Sequence, residues 1–132
     1  MRRPRSINAS IGQAGQLFVR ILCTSRISFT NGVARAIWQM IADSSDSEAA
    51  AFRFATGHLL DAMGTGDTQR DQELVARYFS DWLTPDLLIQ ALDELVERER
   101  ISRTAATRLQ TEIHTCTMAN GQWAWVLEEK AG

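Results

Sequence analysis

Apolar residues return every three or four positions through most of this chain, and the breaks in that rhythm divide it into helices. The last third is the most clearly punctuated. Thr84 is a capping residue, Pro85 takes the first helical position where its missing N–H costs nothing, and Asp86 lies in the first turn at the positive end of the dipole. Leu88, Leu92, Leu95 and Val96 then fall on one side and Asp86, Gln90, Asp93, Glu94 and Glu97 on the other, which predicts an amphipathic helix with an acidic outer face. The run from Glu97 to Arg100 ends the stripe. Ser102 caps a second helix to about Ile113, with Ala106, Leu109 and Ile113 inward and Thr104, Thr107 and Thr111 outward between Arg103 and Arg108. Beyond it, Asn120-Gly121 is the preferred pair for a two-residue hairpin turn. That turn sets Met118 opposite Trp123, Cys116 opposite Trp125 and His114 opposite Leu127 on an apolar face, and Thr117 opposite Ala124 and Thr115 opposite Val126 on the other. The apolar face is expected to pack on the helices before it.

From the start of the chain, residues 1–10 are polar, basic and interrupted by Pro4, and read as a flexible arm. Ile11, Ala14, Phe18, Ile21 and Leu22 have helical spacing up to Cys23, although Gly12, Gly15 and the run Leu17-Phe18-Val19 leave a strand as the alternative. After a Ser/Thr/Asn-rich loop, Thr30 caps a helix to about Ala42 with Val33, Ile37, Trp38 and Ile41 on one face. A polar linker over 43–47 leads to a helix from about Glu48 to Met63 that buries Phe52, Ala55, Leu59 and Met63, and Gly64-Thr65-Gly66 ends it. Asp67 or Thr68 caps the next helix, which carries Leu74, Val75, Tyr78, Phe79 and Trp82. The predicted fold class is predominantly α, a bundle of five or six helices with a C-terminal β-hairpin, and residues 11–132 form one domain.

Composition leaves this picture in place: 132 residues, 45% hydrophobic and 23% charged, are ordinary for a soluble globular domain. Cys23 and Cys116 have no CxxC partner and suit reduced packing positions in a cytoplasmic protein. No apolar run approaches the length of a membrane span, and without a secretory signal the triplet Asn8-Ala9-Ser10 is a chance glycosylation match. Charge does change the picture. Residues 1–42 hold six arginines and no acid, whereas 43–132 hold 8 basic and 16 acidic residues, so +6 and −8 give the net −2. The basic end fits a nucleic-acid or partner-binding arm, a mitochondrial presequence, or a folded region whose charge complements the rest.

Candidate chemistry is sparse. His58 and Asp61 are three apart on one helix, where a local pair is expected, and His114 falls on the apolar hairpin face as a semi-buried histidine. Gly64-Thr65-Gly66-Asp67 lacks the lysine and hydroxyl of a phosphate loop. Two histidines and two cysteines, far apart and without ligand spacing, predict no catalytic site, no metal and no cofactor.

In order, residues 71–127 resemble a winged helix-turn-helix domain: Asp71 to Trp82 as first helix, Thr84 to Arg98 as second, Ser102 to Ile113 as recognition helix and Ala119 to Gln122 as wing tip. The chain then divides into a helical sub-unit over 11–64 and a winged-helix-like one over 67–129. The resemblance implies duplex DNA as partner, with Arg98, Arg100, Arg103 and Arg108 reaching phosphates or bases and Thr104, Thr107 and Thr111 on the exposed face. The pattern departs from the family in its long second helix, a wing tip without a basic residue, no strand before the second helix, and an acidic face that repels phosphate. The rival reading is a non-enzymatic helical adaptor or assembly subunit, of a phage, mobile-element or nucleoprotein complex, that binds protein partners or copies of itself.

Overall fold

The structure is a computed structural model that describes residues 4–125, with side chains from Gly12 onward. It holds six helices: α1 (Pro4–Cys23), α2 (Asn31–Asp43), α3 (Ser47–Ala62), α4 (Thr68–Asp81), α5 (Pro85–Glu97) and α6 (Arg103–Thr115). Side-chain oxygens start five of them. Thr30, Asp46, Asp67, Thr84 and Ser102 each accept from a backbone N–H of the first turn, satisfying donors that a helix leaves unpaired. Gly64 at φ +85° and Gly66 at φ +95° carry the chain from α3 to α4 through a conformation that side chains with a Cβ disfavour. Arg53, on α3, closes the far end of α2 by donating from Nη1 to the carbonyls of Ile41 and Ser44, at 2.6 and 2.9 Å.

Packing follows the apolar stripes. α1 lies against α2 and α3, α5 against α6 and α2, and α3 against α4. One core joins both halves of the chain, from Leu17, Phe18 and Leu22 through Leu88, Leu92 and Leu95 to Leu109 and Ile113. Aromatic rings link the helices in series: Phe18 meets Trp38 at 5.3 Å and Phe52 at 6.0 Å, and Phe52 meets Tyr78 at 5.8 Å. Trp82, expected inside, caps α4 with 38% of its surface exposed and its ring edge-on to Phe52. Between α3 and α4 the buried Thr56 hydroxyl donates to the Phe52 carbonyl and so accepts from the Tyr78 hydroxyl, 2.6 Å away. Burial raises the Tyr78 phenol well above its usual value, and the Thr56 hydrogen bond only partly offsets this.

Three expectations are corrected. α1 begins at Pro4, so the stretch read as an arm over 1–10 is helical from residue 4, and the strand alternative for 11–23 falls away; Met1 to Arg3 lie outside the described residues. The predicted C-terminal β-hairpin is absent: no strand or sheet occurs among the described residues, only an isolated antiparallel bridge between Thr117 and Trp123. Without it the winged-helix outline lacks its wing. The cause is α6, which runs on to Thr115 and takes the first residues meant for the strand; the Thr115 hydroxyl donates to the Thr111 carbonyl within the last turn, and the Thr117 hydroxyl, just beyond the helix, donates to the Ile113 carbonyl. The Asn120-Gly121 turn does form, but as a three-residue loop: Gly121 N–H donates to the Met118 carbonyl at 2.9 Å and Gly121 sits at φ +88°. The register therefore slips by one, and Trp123 faces Thr117 in place of Met118. Trp123 nevertheless packs on the helices, 1% exposed, its indole N–H donating to the Leu83 carbonyl at 2.8 Å, with Phe79 and Trp125 beside it. The third correction is His114, which is exposed in the last turn of α6. The pairings with Val126 and Leu127 lie outside the described residues.

Two predictions follow from the packing of α1 and from Tyr78. A Cβ on Gly15 would stand 2.5 Å from Trp38 Nε1, whereas one on Gly12 meets nothing within 4 Å. Gly12→Ala should therefore stabilise by about 0.5–1 kcal/mol, while Gly15→Ala should destabilise by roughly 1–3 kcal/mol of overpacking despite the same helix-propensity gain; urea denaturation of the two variants checks the opposite signs. Tyr78 is the single tyrosine. Its folded pKa lies above the unfolded value of 10.0, so its contribution is complete below about pH 10 and declines above it, where only the unfolded chain ionises. Tyrosinate absorbance should appear only together with loss of helix, and Tyr78→Phe should flatten the alkaline part of the stability profile.

Candidate functional site

The seven residues predicted to reach nucleic acid divide into two groups. Thr104, Thr107, Arg108 and Thr111 stand exposed on the outer face of α6, as helical spacing from the Ser102 cap requires, and the Thr111 hydroxyl donates to the Thr107 carbonyl. Arg98, Arg100 and Arg103 sit at the α5–α6 junction, all exposed. Two of these three are engaged: Arg98 holds Glu94 one turn back on α5, and Arg103 reaches Asp93 at 3.4 Å. Asp93 also accepts from Gln110 Nε2 at 2.9 Å, so it ties the two helices together. The junction is a helix-ending turn in which Arg100 N–H donates to the Leu95 carbonyl and Glu99 N–H to Val96, with Glu99 at φ +59° where glycine is usual. Over residues 84–115 six acids face four arginines, a net of −2. The α5–α6 pair thus presents arginine–carboxylate contacts and two arginines, Arg100 and Arg108, that form no ion pair among the described residues, within a negative field.

A second surface lies on the two N-terminal helices. α1 and α2 enclose a cleft of about 640 Å³, with Gly12, Gly15, Val19 and Ala42 among its apolar lining, Trp38 over Gly15, and Arg20 and Arg35 at its polar part. Cys23 lines it too; its thiol donates to Asn31 Oδ1 at 3.3 Å. Burial raises the Cys23 pKa and the Arg35 guanidinium pulls it back. Trp38 also borders a smaller groove of about 280 Å³ between α1 and α3, along with Phe54, Gly57, His58 and Leu60. There His58 stacks on Phe54, planes 10° apart and centroids at 6.1 Å, and makes no ion pair with Asp61. Among the described residues no group of three or more His, Cys, Asp or Glu could hold a metal ion, and Cys23 and Cys116 are unlinked. No described helix is long and apolar enough to cross a membrane.

Sequence reasoning did not single out the α1–α2 cleft. Two signals were present: glycines three apart on one helix, and 42 residues without an acid. Neither a family model, nor a curated protein, nor a solved structure matches this chain.

The thiol tests the electrostatics of the cleft. In a Cys116→Ser background, the pH midpoint for alkylation of Cys23 should lie above the usual thiol value of 9.0 and rise further in Arg35→Ala, since the thiolate loses its cation while burial remains. An unchanged midpoint in Arg35→Ala would show that the guanidinium points elsewhere in solution.

Proposed function

We propose that the protein is a non-enzymatic helical adaptor, working in the cytoplasm, that binds another protein through the α3 side of the bundle. The observation that carries this reading is Phe54: it is 76% exposed in the middle of α3, and it forms with His58, Gly57 and Leu60 the border of a groove beside Trp38. A phenyl ring left in water forgoes roughly 1.5–3 kcal/mol of burial. An aromatic anchor next to a shallow groove, rimmed here by Gln13, Arg53 and Asp61, has the make-up of the centre of a protein contact.

Duplex binding through α6 is the second reading, and the exposed row of Thr104, Thr107, Arg108 and Thr111 favours it. Against it stands the pairing of Arg98 and Arg103 with Glu94 and Asp93. Phosphate binding gains its free energy by releasing counterions from cations that are free to meet phosphate, and a net negative helix pair opposes that approach.

A photo-crosslinking side chain at position 54 should capture a protein in cells of the source organism, one at exposed Asp67 should not, and Phe54→Glu should abolish co-purification of that partner without lowering the melting temperature. Duplex anisotropy should show no binding at physiological salt. Micromolar duplex affinity that falls with rising salt, and that drops in an Arg100→Ala/Arg108→Ala variant, would overturn the adaptor reading in favour of the second.

A further inference from the structure

The α1–α2 cleft has a direction. Its helices run antiparallel, because Cys23 meets Asn31 at one end while Gly15 meets Trp38 two turns further along. Arg20, Thr24, Asn31 and Arg35 therefore gather near the first end, and Gly12, Gly15 and Ala42 lie toward the other. No aspartate or glutamate lines it, and neither Arg20 nor Arg35 forms an ion pair among the described residues. Between the two ends lies an unspent donor. Trp38 lines the cleft with its Nε1 against Gly15, and that N–H makes no hydrogen bond among the described residues, so it is open to an acceptor from outside. A volume of about 640 Å³ suits a small molecule, whose apolar body such sites hold while a few polar groups fix its orientation.

We propose that this cleft binds an anionic amphiphile. Arg20 and Arg35 hold its carboxylate or phosphate head, the apolar body lies along Gly12, Gly15 and Ala42, and Trp38 Nε1–H donates to an oxygen where head and body meet. Guanidinium groups suit both oxyanions, which accept two parallel hydrogen bonds. Gly15 is needed twice over: without a Cβ it lets the indole approach, and it leaves the floor open. This site shares the Trp38 ring with the Phe54 groove but lies on the α1–α2 side of it, and does not depend on the protein-binding reading.

The test uses laurate and dodecyl phosphate as monomers below micelle formation, titrated into the whole protein while the Trp38 indole N–H resonance, assigned with Trp38→Phe, is followed by NMR. Both anions should move it saturably. Dodecyltrimethylammonium and dodecyl maltoside should bind at least about tenfold more weakly, as should both anions in Arg20→Gln/Arg35→Gln, about the loss expected when one charged hydrogen bond goes. Gly12→Leu fills the apolar end from a position where a Cβ meets nothing within 4 Å, so it should abolish binding while raising the melting temperature. A phosphatidylglycerol-vesicle arm separates two sources of the same chemistry: co-sedimentation that needs Arg35 assigns the head to a bilayer lipid, and its absence, with monomer binding intact, assigns a free amphiphile. Equal binding of anionic, cationic and neutral heads, affinity unchanged by the double glutamine variant, or no saturable shift with any probe would overturn the proposal.

Discussion

The approach of Trp38 to the backbone of α1 at Gly15 is the contact on which the N-terminal half rests. Only a residue without a Cβ lets the indole come this close, and from there the ring reaches Phe18, which is fully buried. Phe18 in turn meets Phe52 on α3, and Phe52 meets Tyr78 on α4, so four helices are registered through one run of rings. Each such pair is worth about 0.5–1.5 kcal/mol beyond its buried area, with a geometry that fixes rotation as well as distance. The same approach opens the cleft beside it, because a helix pair that close at one point and floored with glycine leaves a trough where side chains are missing.

Charge is arranged around this frame rather than within it. The acid-free segment forms α1 and α2, and the cleft between them inherits two arginines and no carboxylate. The acids of α5 lie beside α6 and take up Arg98 and Arg103. Exposed ion pairs of this kind add little stability, but they remove cations from service elsewhere. An arginine count along a helix is thus a poor guide to nucleic-acid binding until the neighbouring carboxylates are placed.

The sequence by itself determined where α2, α5 and α6 start and which faces α5 and α6 bury. Thr30, Thr84 and Ser102 cap as their side-chain chemistry dictates, and Leu88, Leu92, Leu95, Ala106, Leu109 and Ile113 point inward, since capping and a 3.6-residue period act over a few residues and need no partner to be read. The exposure of Thr104, Thr107, Arg108 and Thr111 followed from the same period.

Only the tertiary structure decided what depends on distant neighbours. Alternation over 114–118 fits a strand as well as the end of a helix; α6 won because its hydroxyls satisfy its own last carbonyls, and because Trp123 gains a buried partner in Leu83 from 40 positions away, whereas a two-stranded ribbon is marginal on its own. Gly12 and Gly15 look like helix breakers until Trp38 is laid across one of them. Arg20 and Arg35 become neighbours in one cleft only when α2 folds back on α1, and Arg103 loses its freedom only when α5 and α6 are set side by side, whereas Arg98 finds Glu94 within its own turn. Periodicity reports which face of an element is buried; which face it meets is a property of the packed chain.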